Sequence, residues 1–251
     1  MSNSGALTYR PSDVISKVFI ASAVITFVLG LIFQVGFSYM SYVDAYVDGG
    51  MDAIDAGDDG FITLLVMILA MLASAIGMAV GFLVSVVMFC MWVFRANKNA
   101  QAMKVKGMDY SAGWCVGWFF IPIANLWKPY QAVQEIWRAS DPFVYVKGGE
   151  MGKFNSSLVS WWWAFWILFA VLDRLENRIY MRADVSLQTE WLLCLVSLGI
   201  HLFLFLPATV LVIKVVREIN QRQAERYARL KKVLRESEAY DVGSMPSYPH
   251  V

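Results

Sequence analysis

The sequence has few charged residues, few cysteines and few histidines, and each shortage excludes a class of protein. Only 16% of the 251 residues are charged, against about 25% in soluble domains. The net charge of +1 gives no domain-wide basic surface, so we predict no nucleic-acid binding. Cys90, Cys115 and Cys194 all lie in apolar stretches, which predicts buried thiols and no disulfide framework.

Motifs for catalysis and metal binding are also missing. The histidines are His201 and His250, and the sequence contains no HExxH, GxSxG, P-loop or CxxC pattern. The acidic stretch at 55–60 begins like a calcium loop, but Gly57 and Val66 stand where oxygen ligands are required. We therefore predict no catalytic residue, no cofactor and no bound metal, and hence a protein that is not an enzyme.

Apolar residues, by contrast, are in excess: 58% of the chain is hydrophobic and the mean hydropathy is +0.52. About 20 consecutive apolar residues cross the ~30 Å hydrocarbon core of a bilayer. Four blocks reach that length, at 14–40, 61–94, 154–172 and 191–216. The first block lacks a convincing cleavage site and is predicted to be a retained helix. The predicted fold class is an all-α integral membrane protein with four transmembrane helices.

A fifth apolar run, at 114–126, is too short to cross the membrane. It contains Pro122 and Asn125, which interrupt a regular helix. Behind it, apolar residues recur at helical spacing from Leu126 to Trp137, the pattern of a helix that lies in the membrane surface. We predict that 114–138 is a re-entrant or interfacial helical segment on the cytoplasmic side.

The positions of lysine and arginine predict the orientation in the membrane. If both termini and the loop 95–153 are cytoplasmic, 18 of the 21 Lys and Arg residues are cytoplasmic, and the exceptions are Arg174, Arg178 and Arg182. This favours a bacterial inner-membrane protein with cytoplasmic N and C termini. The predicted organisation is a cytoplasmic N-terminus at 1–13, a membrane domain at 14–223, and a cytoplasmic helix with a disordered tail at 224–251.

The stretch 94–142 carries a dense, ordered set of aromatic, glycine, proline and amide residues. They are Phe94, Arg95, Asn97, Asn99, Gly107 to Tyr110, Gly113, Trp114, Gly117, Trp118, Phe120, Pro122, Asn125, Leu126, Pro129, Tyr130, Glu135, Trp137, Asp141 and Pro142. By these residues the chain resembles the bacterial membrane family catalogued as domain of unknown function 4328. The resemblance implies a multi-pass bacterial membrane protein and supplies no reaction.

The segment GWFFIPIANLWKPYQ and the helix behind it contain the candidate residues for contact with lipid or a partner. They are Trp118, Pro122, Asn125, Trp127, Lys128, Pro129, Tyr130, Trp137 and Arg138. The two prolines free backbone groups that must find partners in a non-aqueous region, and Asn125 is placed to supply one. One interpretation is a re-entrant element that lines a cavity or binds an anionic lipid headgroup through Lys128 and Arg138. The alternative is an interfacial clamp that holds helices in register.

Polar residues within the spans give two further hypotheses. Gln34 and His201 form the candidate intramembrane polar site, and an ionisable residue at His201 is a functional hypothesis by default. The alternative is a neutral, hydrogen-bonded His201, because no acidic or basic residue is predicted deep in another span to complete a proton relay. Gly77 and Gly81 are spaced as GxxxG, which predicts a close helix approach and a candidate homo-oligomer contact.

Three functions remain open at this stage. The first is a non-enzymatic membrane scaffold or adaptor, with a cytoplasmic binding face on the helices 126–138 and 217–238. The second is an oligomeric pore or small transporter, and the third is a lipid-modifying membrane enzyme, supported by 114–126 alone. The lipid bilayer, with anionic headgroups, is the predicted partner, and the sequence specifies no protein partner.

Overall fold

The computed structural model describes residues 9–46, 58–144, 146–181 and 186–243, and these ranges are helical without β-strands. The helices are α1 Asp13–Tyr46, α2 Asp58–Ala102, α3 Ala112–Gly117, α4 Lys128–Ala139, α5 Ser157–Tyr180, α6 Leu187–Ile200 and α7 Leu206–Gly243. Two 3-10 turns, Trp118–Phe120 and Ala124–Leu126, lie between α3 and α4. A π-helical turn, His201–Phe205, joins α6 to α7.

Four of the described helices are long and apolar enough to cross a membrane: Asp13–Asp44, Gly60–Ala102, Ser157–Ile179 and Gln188–Tyr240. In the most apolar window of Gly60–Ala102 only 6% of the residues are buried within the protein. Large side chains such as Ile76 and Leu83 are 62% and 64% exposed, and lipid is the environment that accepts them. The prediction of an all-α membrane protein with four spanning helices is confirmed.

The chain divides into two compact units. The first, which we call the spanning unit, comprises Lys17–Phe89 and Leu158–Lys214. The second comprises Met1–Ser16, Cys90–Ser157 and Val215–Val251. We call it the polar-core unit because most of the buried amide and charged side chains lie in it.

In the spanning unit, small residues bring α1 and α2 close together. A Cβ atom added to Gly77 would lie 2.7 Å from Leu29 Cδ1, and one added to Gly81 would lie 2.5 Å from Thr26 Oγ1. The Ser85 hydroxyl also donates a hydrogen bond to Ser22 Oγ at 2.9 Å. Both glycines of the GxxxG pair therefore serve a contact within the chain, while a homo-oligomer through them stays a prediction.

In the polar-core unit, one face of α7 is buried. Val215, Ile219, Gln223, Arg226 and Leu230 are each 6% exposed or less, and their spacing of three or four residues places them on one stripe of the helix. Leu230 packs in an apolar cluster with residues of α2, α4 and the loops beside them. The boundary predicted at residue 223 falls within this unbroken helix, and the end of the predicted tail, 244–251, lies outside the described residues.

Helix α5 is longer than the apolar block that predicted it. It begins at Ser157 and continues past Leu172 to Tyr180. The Asn177 amide donates to the Asp173 carboxylate at 3.3 Å, one turn apart, which supports the added turns. Polar residues that the sequence placed in a loop, among them Glu176, thus lie on a spanning helix.

Candidate functional site

Among the described residues of the polar-core unit, Glu135 on α4 is the most buried carboxylate, with 1% of the residue exposed. Its Oε2 accepts a hydrogen bond from the Asp109 backbone N–H at 2.7 Å, and its Oε1 accepts one from Tyr110 N–H at 3.1 Å. Burial raises the pKa of Glu135, and the two backbone hydrogen bonds oppose that rise. Both carboxylate oxygens are thus used to hold the 107–110 turn against α4.

Asn97 on α2 fixes the same turn from another side. Its Nδ2 donates to the Tyr110 carbonyl at 3.0 Å and to Cys115 Sγ at 3.2 Å, while its Oδ1 accepts from Gln101 at 2.7 Å. Burial raises the pKa of Cys115 to about 12, so this thiol stays protonated and is a poor nucleophile. Among the described residues, no group of three or more His, Cys, Asp or Glu side chains is placed to hold a metal ion.

Asn99 joins the N-terminal segment and α7 to α2. It exchanges two hydrogen bonds with the Arg10 backbone, at 2.9 Å and 3.1 Å, as the strands of a sheet do. Its Nδ2 also donates to Gln223 Oε1 at 3.2 Å, and Gln223 Nε2 donates to the Ala96 carbonyl at 2.8 Å. The amide pair therefore locks α7 beside the end of α2.

Two arginines of α7 hold the loop 140–153. Arg226 donates to the backbone carbonyl of Asp141 at 2.6 Å and to that of Glu150. Arg222 forms an ion pair with the Asp141 carboxylate at 3.7 Å and stacks on the Trp137 ring at 4.2 Å. Both guanidinium groups act as structural clamps: that of Arg226 spans two backbone carbonyls, and that of Arg222 joins a carboxylate to an aromatic ring.

Gln134 closes the start of α5. Its Oε1 accepts from the Ser156 backbone N–H and its Nε2 donates to the Ser156 carbonyl, both at 2.8 Å. Its Nε2 also lies 3.3 Å from the hydroxyl of Tyr130, which was among the predicted contact residues. Tyr130 is therefore part of the internal network on α4.

The sequence pointed to some members of this network and missed others. Asn97, Asn99 and Glu135 belong to the set that carries the family resemblance, and the structure gives each a buried hydrogen-bonding role. Gln223 and Arg226 were missed because polar side chains are ordinarily exposed. Their only signal is that they interrupt the apolar stripe of α7 at positions where an apolar residue is expected.

Lys128, the first residue of α4, is surrounded by aromatic groups. Its Nζ lies 5.5 Å from the centre of the Tyr110 ring and 5.5 Å from that of Trp118, a cation–π arrangement. Nζ also donates to the Tyr110 hydroxyl at 3.4 Å, and that hydroxyl donates to Gln131 Oε1 at 2.8 Å. The cluster fixes the start of α4 against the 107–120 segment.

Beside this cluster lies an exposed group of large apolar residues, which we call the apolar edge. Trp114, Phe120, Ile123, Leu126 and Trp127 are between 43% and 72% exposed. They lie on α3, on the two 3-10 turns and at the two residues that flank the second turn, so several large side chains are exposed over a short stretch of chain. An exposed apolar group of this kind is typical of an interaction surface for lipid or protein.

Backbone hydrogen bonds inside the segment pair several groups near its prolines. Asn125 N–H donates to the Ile121 carbonyl at 2.8 Å, so Asn125 contributes through its backbone. Pro122 lies in the exposed turn between the two 3-10 turns. Pro129 occupies the first turn of α4, where a missing N–H costs no helical hydrogen bond.

The structure does not bring the two predicted headgroup-binding cations together. Lys128 and Arg138 stand at opposite ends of α4, about 15 Å apart along its axis at 1.5 Å per residue. The Arg138 carbonyl accepts from Gly152 N–H at 2.9 Å, which ties this end of α4 to the loop before α5. A single site containing both cations is therefore not formed.

In the spanning unit, Gln34 makes a contact between two helices. His201 makes a contact within its own helical segment and a ring contact with a neighbouring helix. Gln34 Nε2 donates to the Cys194 carbonyl at 3.2 Å, joining α1 to α6. His201 Nδ1 lies 2.9 Å from the Ser197 carbonyl, and its ring packs edge-on against Phe169 of α5 at 5.5 Å. Gln34 thus makes a hydrogen bond between two helices.

An acidic residue of a neighbouring helix lies near His201, although it stands close to the end of its span. Glu176 on α5 is 9% exposed, its side chain is hydrogen-bonded to that of Ser197, and it interacts electrostatically with His201. The apolar block ends at Leu172, which predicted a loop position for Glu176. The added turns of α5 carry it into contact with α6.

Comparison with known proteins identifies one family. The family model described as "Domain of unknown function (DUF4328)" matches residues 62–221. No curated protein and no solved structure matches the chain. The matched range contains α3 to α6 and ends within α7, just after the buried residue Ile219.

Proposed function

We propose that this chain, which belongs to the DUF4328 family, is a non-enzymatic membrane scaffold or adaptor. The family expected from the residues at 94–142 is confirmed by the match. Four described helices hold the chain in a membrane. The polar-core unit is the part proposed to bind a partner, and the exposed side of α7 is its proposed binding face.

The observation that supports this proposal is how the polar-core unit uses its buried polar groups. A carboxylate that acts as an acid or base needs an oxygen within reach of its substrate. Both oxygens of Glu135 accept backbone N–H groups, and Arg226 donates to backbone carbonyls. Residues of these types are therefore committed to a rigid frame, which is what a scaffold requires.

The exposed side of α7 is opposite the buried stripe. Gln221, Ala228, Lys232 and Arg235 are exposed and lie within about 60° of one another around the helix. Lys232 forms a solvent-exposed ion pair with Glu236 at 3.9 Å, a contact of little energetic value that a partner can replace. The face carries charges of both signs, and a protein partner with a complementary charge pattern fits it.

The proposed location is the bacterial inner membrane, with both termini and the polar-core unit in the cytoplasm. The support is the distribution of charge, since the loop 95–153 and the segment after Lys214 contain most of the basic residues. The apolar edge is proposed to contact lipid at the membrane surface, because its exposed Phe120 and Ile123 gain free energy on leaving water.

The scaffold proposal is tested by photo-crosslinking in intact cells. We place a photoreactive amino acid at Ala228 or Gln221 and, as a matched control, at Phe154, which is 85% exposed outside this face. We expect one reproducible protein adduct from the α7 positions and none from Phe154. The α7 adduct is expected to disappear in a chain that also carries Arg235→Glu. The scaffold proposal is wrong if the α7 positions form no adduct, or if the adduct persists in the chain with Arg235→Glu.

Lipid contact by the apolar edge is tested separately with nitroxide spin labels. A label at Ile123 is expected to be relaxed more by membrane-dissolved oxygen than by a water-soluble metal complex. A label at Lys232, an exposed charged position of α7, provides the water-facing comparison. Equal relaxation behaviour at the two positions would place Ile123 in water and remove lipid contact from the proposal.

A further inference from the structure

Lys128 is a cation without an acidic partner in the part of the chain that the structure describes. No Asp or Glu there forms an ion pair with it, whereas Arg222 on α7 pairs with Asp141. No side chain caps the start of α4 at Trp127, so the positive end of the helix dipole adds to the charge of Lys128. Both features favour the binding of an anion at this end of α4.

The ammonium group of Lys128 is held in place by its neighbours. Nζ lies 5.5 Å from the centres of both the Tyr110 and the Trp118 rings, and it donates to the Tyr110 hydroxyl at 3.4 Å. That hydroxyl donates in turn to Gln131 Oε1 at 2.8 Å, which leaves its oxygen to accept from Lys128. The bond uses one of the three ammonium hydrogens. Because the half-buried side chain is already ordered, it loses little further freedom when it binds an anion.

The apolar edge lies directly beside this cation. Its members Leu126 and Trp127 immediately precede Lys128 in the chain. The ring of Trp114, another member, lies 4.8 Å from the Trp118 ring that Lys128 contacts. A positive charge and exposed apolar surface therefore occur together in one small area. An anionic phospholipid has the complementary pair of features, a charged phosphate and an acyl chain beside it.

We infer that Lys128 and the apolar edge bind one anionic phospholipid, with its phosphate at Lys128 Nζ and an acyl chain along the apolar edge. This inference rests on the lipid contact proposed above and adds the class of headgroup. Lys128 covers one face each of the Tyr110 and Trp118 rings, so those faces are closed to the ammonium group of a choline headgroup. Lys128 also repels a second cation. A headgroup without a cation of its own, such as that of phosphatidylglycerol, therefore fits best.

Photo-crosslinking to lipid tests this inference on the full chain in nanodiscs that contain equal amounts of phosphatidylglycerol and phosphatidylcholine. A photoreactive amino acid replaces Leu126, which is 50% exposed, and mass spectrometry identifies the lipid in each adduct. We expect phosphatidylglycerol to be enriched about fivefold, the preference that one basic residue supplies near anionic lipid. The same amino acid at Ile76 of α2, which is 62% exposed, is expected to report the bulk ratio of the two lipids.

Substitutions of lysine show whether the charge of Lys128 causes the enrichment. Lys128→Gln is expected to return the Leu126 adducts to the bulk ratio, and Lys128→Arg to keep the enrichment because a guanidinium also binds phosphate. Lys98→Gln is the matched control, since Lys98 is exposed and its Nζ lies 5.8 Å from the centre of the Phe94 ring. We expect this control to leave the enrichment unchanged. If Lys128→Gln fails to fold, the wild-type chain is measured in about 1 M salt, where screening is expected to lower the enrichment.

The outcomes separate this inference from the lipid contact on which it rests. Lipid adducts at Leu126 with the same lipid ratio as at Ile76 overturn the anionic-lipid site and leave the lipid contact standing. A complete absence of lipid adducts at Leu126 overturns both. An equal loss of enrichment in Lys98→Gln and Lys128→Gln identifies a general effect of surface charge and also overturns the site.

Discussion

At the scale of single residues, the contribution of a buried polar group to stability depends on whether its hydrogen bonds are completed. Glu135 and Arg226 are each 1% exposed, and both are paired with backbone groups. An unpaired buried donor or acceptor costs about 1–3 kcal/mol, more than a typical completed hydrogen bond contributes. Removal of one member of such a pair is therefore expected to lower stability by more than the completed hydrogen bond contributes.

The raised pKa of Glu135 predicts a pH dependence of stability. Because burial raises this pKa above its unfolded value of 4.5, the folded protein binds the proton more tightly than the unfolded chain. The stabilisation is complete below pH 4.5 and is lost as pH rises through the raised pKa. We expect Glu135→Gln to lack this component in denaturant unfolding at several pH values. A constant difference between wild type and Glu135→Gln across that range would contradict the prediction.

Arg226 predicts a large effect from one substitution. Arg226→Met keeps much of the side-chain volume but leaves the Asp141 and Glu150 carbonyls without their donor. We expect a loss of about 2–3 kcal/mol in the free energy of unfolding and faster proteolysis in the loop 140–153. Arg235→Met, at an exposed position on the same helix, is expected to change stability by about 0.5 kcal/mol or less. Equal effects of the two substitutions would remove the clamp role.

At the scale of secondary-structure elements, the length of a helix determines which of its residues contact a neighbouring helix. The apolar block 154–172 predicted a span, whereas α5 continues to Tyr180 and brings Glu176 to α6. The predicted end of the helix is the point where the apolar residues end. Polar residues can extend a helix when another helix supplies a partner, and that partner is visible only in the folded chain.

The contact between α1 and α2 gives a prediction with an internal control. A methyl group at Gly81 would overlap Thr26 Oγ1, so Gly81→Ala is expected to lower stability by about 1–3 kcal/mol. Gly199→Ala has open space around the added methyl group and is expected to be neutral or stabilising. Thermal unfolding in detergent measures both. If Gly199→Ala is as harmful as Gly81→Ala, helix proximity is not the cause.

At the scale of the whole molecule, the distribution of apolar and basic residues governs membrane insertion. Four helices are long and apolar enough to span the membrane. The basic residues are concentrated in the loop 95–153 and after Lys214. An even number of spans with both of these regions on one side satisfies the preference of lysine and arginine for the cytoplasm.

Site-directed labelling tests this orientation. Single cysteines replace Gln101, Gln221 and Arg178 in a chain whose three native cysteines are changed to alanine. We expect a membrane-impermeant maleimide to label the Arg178 position in intact spheroplasts and the other two only after permeabilisation. Labelling of Gln101 or Gln221 before permeabilisation would invert the proposed topology.

The sequence by itself determined the membrane class, the four spans and the family, because these depend on block length and local motifs that need no distant contact. It also identified Asn97, Asn99 and Glu135, but through resemblance and without their roles. Only the tertiary structure paired Gln223 with Asn99, Arg226 with the loop 140–153, and Glu176 with Ser197. The physical reason is that a polar residue is buried only where a distant partner completes its hydrogen bonds, and sequence order does not show which residues those partners are.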